Sequence, residues 1–190
     1  MLYLSVMSEA KEAERLADLY KYEILDTPAD GHFDEITSLA AKIFDVPIAI
    51  ISLVDTDRIW FKSTYGLDAD EISRDPGLCS SAIIGDDVYV VENAKVDPRT
   101  LSNPLVAGLM GLQFYAAAPL KSMDGYNLGT ICIIDKIPRT LEIKEKTILR
   151  QLARIVMDQM EIRLQSRLLL KDLQVLNAPE AALKAQQLYR

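Results

Sequence analysis

Along residues 8–23 the apolar positions Ala13, Leu16, Ala17 and Tyr20 fall on one side of a 3.6-residue repeat, with Ser8 placed to cap and acids in the first turn. An amphipathic helix is predicted there, ended by Ile24-Leu25-Asp26-Thr27-Pro28, because the residue before a proline is driven out of the α region. Phe33, Ile36, Leu39, Ala40 and Ile43 repeat the helical spacing over about 33–44, and Pro47 closes that pattern. The period then shifts to that of strands. Residues 48–54 and 59–65, joined by Asp55-Thr56-Asp57 and stopped by Gly66, read as a β-hairpin. Residues 67–78 form a polar loop, 79–84 a short helix, and 88–91 a short strand, while Asp97-Pro98 opens a turn or helix. Strands over 113–121 and 128–135 flank Asp124-Gly125, a strong hairpin cue.

The last pattern is the longest. Leu141, Ile148, Ile155, Ile162, Leu169 and Leu176 recur every seven residues, predicting a helix over 142–176 with a coiled-coil-like seam, interrupted on its flank by Gln159 and Ser166. Asn177-Ala178-Pro179 is expected to break it, leaving a short tail over 177–190. The dimer seam expected from this repeat is Ile148, Ile155, Ile162 and Leu169. Helices, hairpins and a terminal helix in this order describe an α+β domain, an antiparallel sheet with helices across one face. The domain is expected over 8–161.

Composition narrows the partners. The 190 residues fit one compact domain, 49% of them hydrophobic, with a formal net charge of −7. Residues 1–138 hold 11 basic and 22 acidic side chains, and 139–175 hold 8 basic and 5 acidic, so the terminal helix is electrostatically distinct. A nucleic-acid partner is not expected from this balance. No apolar run approaches the roughly 20 residues of a membrane span, so membrane insertion is not expected, and neither a basic start nor a long apolar stretch marks a secretory signal. Two cysteines, Cys79 and Cys132, are too few for a secreted disulfide scaffold and fit a reducing cytoplasm.

With these elements in place, the residues resemble those of the GAF domain, the small-molecule sensing module of bacterial histidine kinases, diguanylate cyclases and phytochrome-like proteins. The resemblance spans Tyr22 to Glu161, core about 22–161, through Tyr22-Glu23-Ile24-Leu25-Asp26-Thr27-Pro28, Val46 to Asp55, Asp57 to Ser63, Asp97-Pro98-Arg99, Asn103 to Val106, Phe114 to Leu120 and Asp124 to Asp135. It implies a regulatory domain without catalysis, a small-molecule ligand, a homodimer and a downstream signalling domain or partner protein. Whether the chain stands alone or belongs to a longer signalling protein stays open, and an interaction module with a vestigial pocket is the alternative. The resemblance also implies a pocket between the sheet and residues 67–84 and 92–112. Ala116-Ala117-Ala118 suits either a pocket floor or close helix packing.

Candidate ligand contacts are Trp60, Lys62, Arg74, Cys79, Ser81 and Tyr115. Trp60 and Lys62 alternate onto one strand face, which faces either a ligand or the helices, with Trp60 then core and Lys62 solvated. Cys79 stands near where related bilin-binding domains attach their chromophore, but Ser80 and Ser81 follow it where a histidine is usual. Free methionine-R-sulfoxide reductase shares the GAF fold and uses an attacking and a resolving thiol, but no cysteine spacing here repeats that arrangement. Cys132 lies mid-strand, a setting for burial. The single histidine, His32, supports a turn or cap, and a His-based metal cluster, a Ser-His-Asp triad and a kinase phosphoacceptor are not expected. Asp55, Asp57, Asp97 and Asp135 sit at strand ends or turns, where short acids accept from nearby backbone N–H groups, and Gly125 and Gly129 serve turn and strand start.

Overall fold

A computed structural model describes the backbone of residues 8–100, 103–107 and 111–188, with side chains described except at 104, 107 and 174–188. In chain order the elements are α1 (Glu9–Lys21), α2 (Gly31–Phe44), β1 (Ile48–Val54), β2 (Arg58–Tyr65), β3 (Glu71–Ser73), α3 (Leu78–Ala82), β4 (Tyr89–Val91), α4 (Pro104–Ala107), β5 (Phe114–Lys121), β6 (Asn127–Asp135) and α5 (Ile143–Leu188). The strands form one sheet in the order β3-β2-β1-β6-β5-β4, every pairing antiparallel. Both hairpins form where the turn chemistry places them, and β1 and β6, distant in sequence, join them at the centre. This is the expected α+β architecture.

Strand alternation divides the sheet into two chemistries. On one face Ile51, Leu53, Trp60, Ala116, Ala118, Ile131 and Ile133 pack under α1, α2 and α5, a core completed by Leu19, Phe33, Leu149 and Val156. On the other face Ile50, Phe61, Tyr115, Ala117, Cys132 and Ile134 pack against α3 and the segments leading to β4 and β5. The alanine run is thereby resolved. Ala116 and Ala118 admit helices close to the sheet, and Ala117 faces the opposite layer.

Caps fall where short polar side chains stand. Ser8 accepts from Lys11 N–H, and Asp30 accepts from the His32 N–H and lies 3.2 Å from its ring Nδ1, so His32 supports a cap. Residues 67–78 are not wholly loop: Ile72 pairs with Ile59 and extends the sheet edge as β3. Gly129 lies so close to β1 that a Cβ there would sit 1.9 Å from the Ser52 carbonyl oxygen. Its role is close strand approach, beyond strand start.

Helix α5 runs on through Asn177-Ala178-Pro179 as one backbone helix, where a break is predicted. A proline removes one hydrogen bond and crowds the preceding turn. The strong helix formers of Glu180 to Leu188 carry the helix onward. Nothing in α5 or in any other described helix is long and apolar enough to cross a membrane.

Candidate functional site

Beneath α3 the sheet carries polar side chains in an otherwise apolar layer. Ser52 on β1 faces Thr130 on β6 across a register pair, and their hydroxyls are 3.0 Å apart. Two residues along β6, on the same face, stands Cys132, and Cys79 descends onto it from the first turn of α3. Both thiols are free and buried. Tyr115 on β5 completes the group, its hydroxyl donating to Cys79 Sγ at 3.3 Å. Cys79, Cys132 and Tyr115 border a cavity of about 30 Å3 walled by Phe61, Leu78, Leu105 and Leu112. That volume suits a water-sized molecule.

The electrostatics follow from crowding thiols and hydroxyls out of water. The hydrogen bond from Cys132, helped by those of Ser52, Tyr115 and Thr130, draws the Cys79 thiol down to about 6, against burial that would raise it. The same shared hydrogen bond and burial push Cys132 well above the ordinary thiol range. Cys79 is thus the more acidic thiol of the pair and Cys132 the less acidic. Burial also drives the Tyr115 hydroxyl far upward, fixing it as a donor.

Of the candidate contacts, Cys79 and Tyr115 meet here. Ser81 is half-buried and does not border the cavity. Arg74 turns away, since its Nη1 reaches the Asp55 carbonyl oxygen at 2.9 Å and Glu12 at 2.7 Å. Its guanidinium fastens the segment before α3 to the first helix.

Trp60 and Lys62 occupy the other face. Trp60 belongs to the helix-side core. Lys62 is not solvated as expected for that orientation: it is buried, its Nζ donating to Thr27 Oγ1 at 2.9 Å and the Pro28 carbonyl at 2.7 Å. It lies 5.5 Å from the Phe33 ring centroid and 5.8 Å from that of Trp60. Burial lowers its pKa, with nearby Asp34 opposing. Both residues line an open cleft of about 720 Å3 between β2 and the α1–α2 loop, where Asp34, Asp70 and Glu71 supply acids. Three of the four turn acids, Asp55, Asp97 and Asp135, accept from the backbone N–H groups of Thr56, Arg99 and Lys136, while Asp57 accepts the Arg74 N–H through its backbone carbonyl.

The seven-residue seam runs along the outer flank of α5. Ile148 is half-buried against the core, while Ile155, Ile162 and Leu169 are 45%, 55% and 61% exposed. A straight helix drifts about 20° per heptad against a strict seven-residue repeat, which carries the seam progressively off the sheet. The buried face belongs instead to Leu149, Leu152, Val156, Met157 and Met160. Helix α2 packs beside α5 and leaves Leu39 and Ile43 exposed.

Ser52, Thr130 and Cys132 were not legible as site residues from sequence. The available signal was the alternation that places Thr130 and Cys132 on one face of β6. The pairing of β1 with β6 and the descent of α3 supply the rest.

A family model described as the GAF domain matches residues 29–164. Over 147 residues the chain is 40% identical to a protein of Pseudomonas aeruginosa named as a cyclic di-GMP phosphodiesterase, an alignment covering 77% of this chain and 25% of that protein. The chain thus spans about a quarter of that relative's length. Among solved structures, free methionine-R-sulfoxide reductase of Neisseria meningitidis in complex with its substrate superposes with a TM-score of 0.60 at 18% identity, covering 81% of this chain and 90% of that one. The GAF domain of an Acinetobacter phosphoenolpyruvate-protein phosphotransferase superposes with a TM-score of 0.57 at 16% identity, over 87% and 99% of the two chains. At these identities the structural likeness is one of fold.

Proposed function

The chain belongs to the GAF domain family, and from that premise we propose that it is a regulatory domain without catalysis of its own, which receives a small-molecule signal and passes it on through paired helices. The observation that carries this reading is the apolar seam of α5, exposed at Ile155, Ile162 and Leu169 although the opposite face of the same helix is filled by core. An exposed seven-residue apolar stripe on a long helix suits a second copy of the same helix. The proposed assembly is a homodimer in the cytoplasm. The proposed recipient of the signal is an output domain or partner protein, and hydrolysis of cyclic di-GMP, the activity in the Pseudomonas relative's name, is the output proposed.

A signal reaches α5 only if a ligand binds one arrangement of the helices better than another. With a cavity of about 30 Å3 under α3, a ligand larger than water enters only if α3 and the segment before β5 move outward. That small volume is what favours the second reading, an interaction module whose pocket is vestigial.

Sedimentation equilibrium tests the seam. A dimer is expected, and I155K/I162K is expected to be a monomer with unchanged circular dichroism; a wild type monomeric at high concentration removes the seam from the reading. Native mass spectrometry tests the ligand. Extra mass lost on denaturation supports the sensor, and a bare dimer supports the interaction module.

A further inference from the structure

Cys79 and Cys132 come from different elements, α3 and β6, yet both pack in the same buried cluster and border the same small cavity. Tyr115 aims its hydroxyl at Cys79 from a third element, and Ser52 and Thr130 surround the pair with further donors. Buried polar side chains cost stability unless they satisfy one another. A packing role alone is served by small apolar side chains. What this arrangement adds is a sulfur held ready beside a void that admits only a water-sized reagent.

We propose that Cys79 and Cys132 form a peroxide-reactive dithiol, a modification site that closes into an intramolecular disulfide. The Cys79 thiolate attacks one oxygen of hydrogen peroxide, the O–O bond breaks, and the departing hydroxide takes a proton to leave as water. Cys79 is then a sulfenic acid. The Cys132 sulfur attacks it, the S–S bond forms as the S–O bond breaks, and the Cys132 proton leaves with the hydroxide as a second water. Two thiols and one peroxide become one disulfide and two waters, and a dithiol reductant reverses the change.

Interaction with Cys132, helped by Ser52 and Tyr115, draws the Cys79 thiol below its ordinary range, which favours the thiolate nucleophile. Tyr115 steadies that charge. Size selects the reagent: peroxide is comparable to the water-sized volume present, whereas an amino-acid sulfoxide or a bulky alkylating agent is not. The site therefore reacts with peroxide while remaining inert to iodoacetamide. It is independent of helix pairing, since both sulfurs lie within one chain.

The test treats the folded full chain with graded hydrogen peroxide and reads intact mass and peptide linkage. Expected are a loss of two hydrogens, a linked pair of peptides carrying Cys79 and Cys132, and full reversal by a dithiol reductant once the chain is unfolded. Cys132→Ser is expected to stop at a sulfenic acid on Cys79, read as a gain of one oxygen on that peptide, and Cys79→Ser to leave Cys132 unreacted. Y115F is expected to slow the reaction about tenfold, the weight of one hydrogen bond to a charged sulfur. On wild type alone, the rate is expected to be half-maximal below about pH 8, under the ordinary thiol value, which keeps the test decisive if a variant fails to fold. Thiols that stay reduced in excess peroxide while folded, a half-maximum above pH 8, or disulfides formed only between chains would overturn the proposal.

Discussion

Arg74 Nη1 lies 2.7 Å from Glu12 Oε1, joining the segment that enters α3 to the first helix of the chain. Arg15 shares the same carboxylate, with its Nε and Nη2 at 2.9 and 2.7 Å. Two guanidinium groups, one of them fully buried, thus lean on one carboxylate of α1. From α1 the connection continues to α5, because the Tyr22 hydroxyl donates to Glu161 and Arg167 donates to the Lys21 and Tyr22 carbonyls. A displacement of α3 therefore has a contiguous route to the seam helix.

Removing the shared carboxylate strips buried Arg15 of its ion pair, so E12Q is expected to cost about 3 kcal/mol at pH 7. Burial alone would raise the Glu12 pKa, and the hydrogen bonds and charges of Arg15 and Arg74 outweigh it to hold the group below the ordinary range. A depressed carboxylate stabilises the fold above its unfolded pKa, about 4.3, and loses that contribution as pH falls through the folded value. Urea titrations at several pH values check this: below about pH 4.3 the wild type should approach the stability of E12Q, and parallel curves would count against it.

For Lys62 the slope has the same sign in a higher pH window, but the cause is a penalty on the charged form. Burial holds its folded pKa below the ordinary value, so the unfolded chain binds more protons between the folded pKa and about 10.4, and stability due to this group rises with pH across that window. The stability of wild type relative to K62M is expected to grow as pH climbs toward 10. A flat difference would show the amine to be solvated.

Gly129 has no room for a methyl group, because the nearest atoms are the β1 backbone at Ser52 and Leu53. Gly129→Ala must push the two central strands apart, at about 3 kcal/mol, or a fall in Tm of roughly 6–12 °C for a chain of this size. Differential scanning calorimetry reads it directly.

The two sides of α5 should respond differently to truncation. L149A, on the buried side, is expected to cost about 2–5 kcal/mol in unfolding free energy. Ile162→Ala, on the exposed side, is expected to change the stability of the isolated protomer by less than about 0.5 kcal/mol. Chemical denaturation at low protein concentration separates the two.

Local chemistry made most of the framework legible. The periodicity of Phe33, Ile36 and Ala40, the Asp-Gly turn and the alternation in β1 and β6 are properties of neighbouring residues, and the elements formed accordingly. The seven-residue repeat of α5 was equally plain, although its exposure depended on how far a straight helix rotates over several heptads. Pro179 was misread because its flanks, more than the proline, decide whether the backbone continues.

By itself the sequence determined the helices, the hairpins, the α+β class and the pairing of Trp60 with Lys62 on one strand face, because each depends on residues a few positions apart. Tertiary structure alone decided which face met the helices, so that Lys62 became a buried latch on Thr27 and Pro28. It alone turned Arg74 toward Glu12 and brought Cys79 to Cys132 beneath Tyr115. These contacts join residues far apart along the chain, and their geometry is set by how α1 and α3 pack on the sheet, which no local pattern encodes.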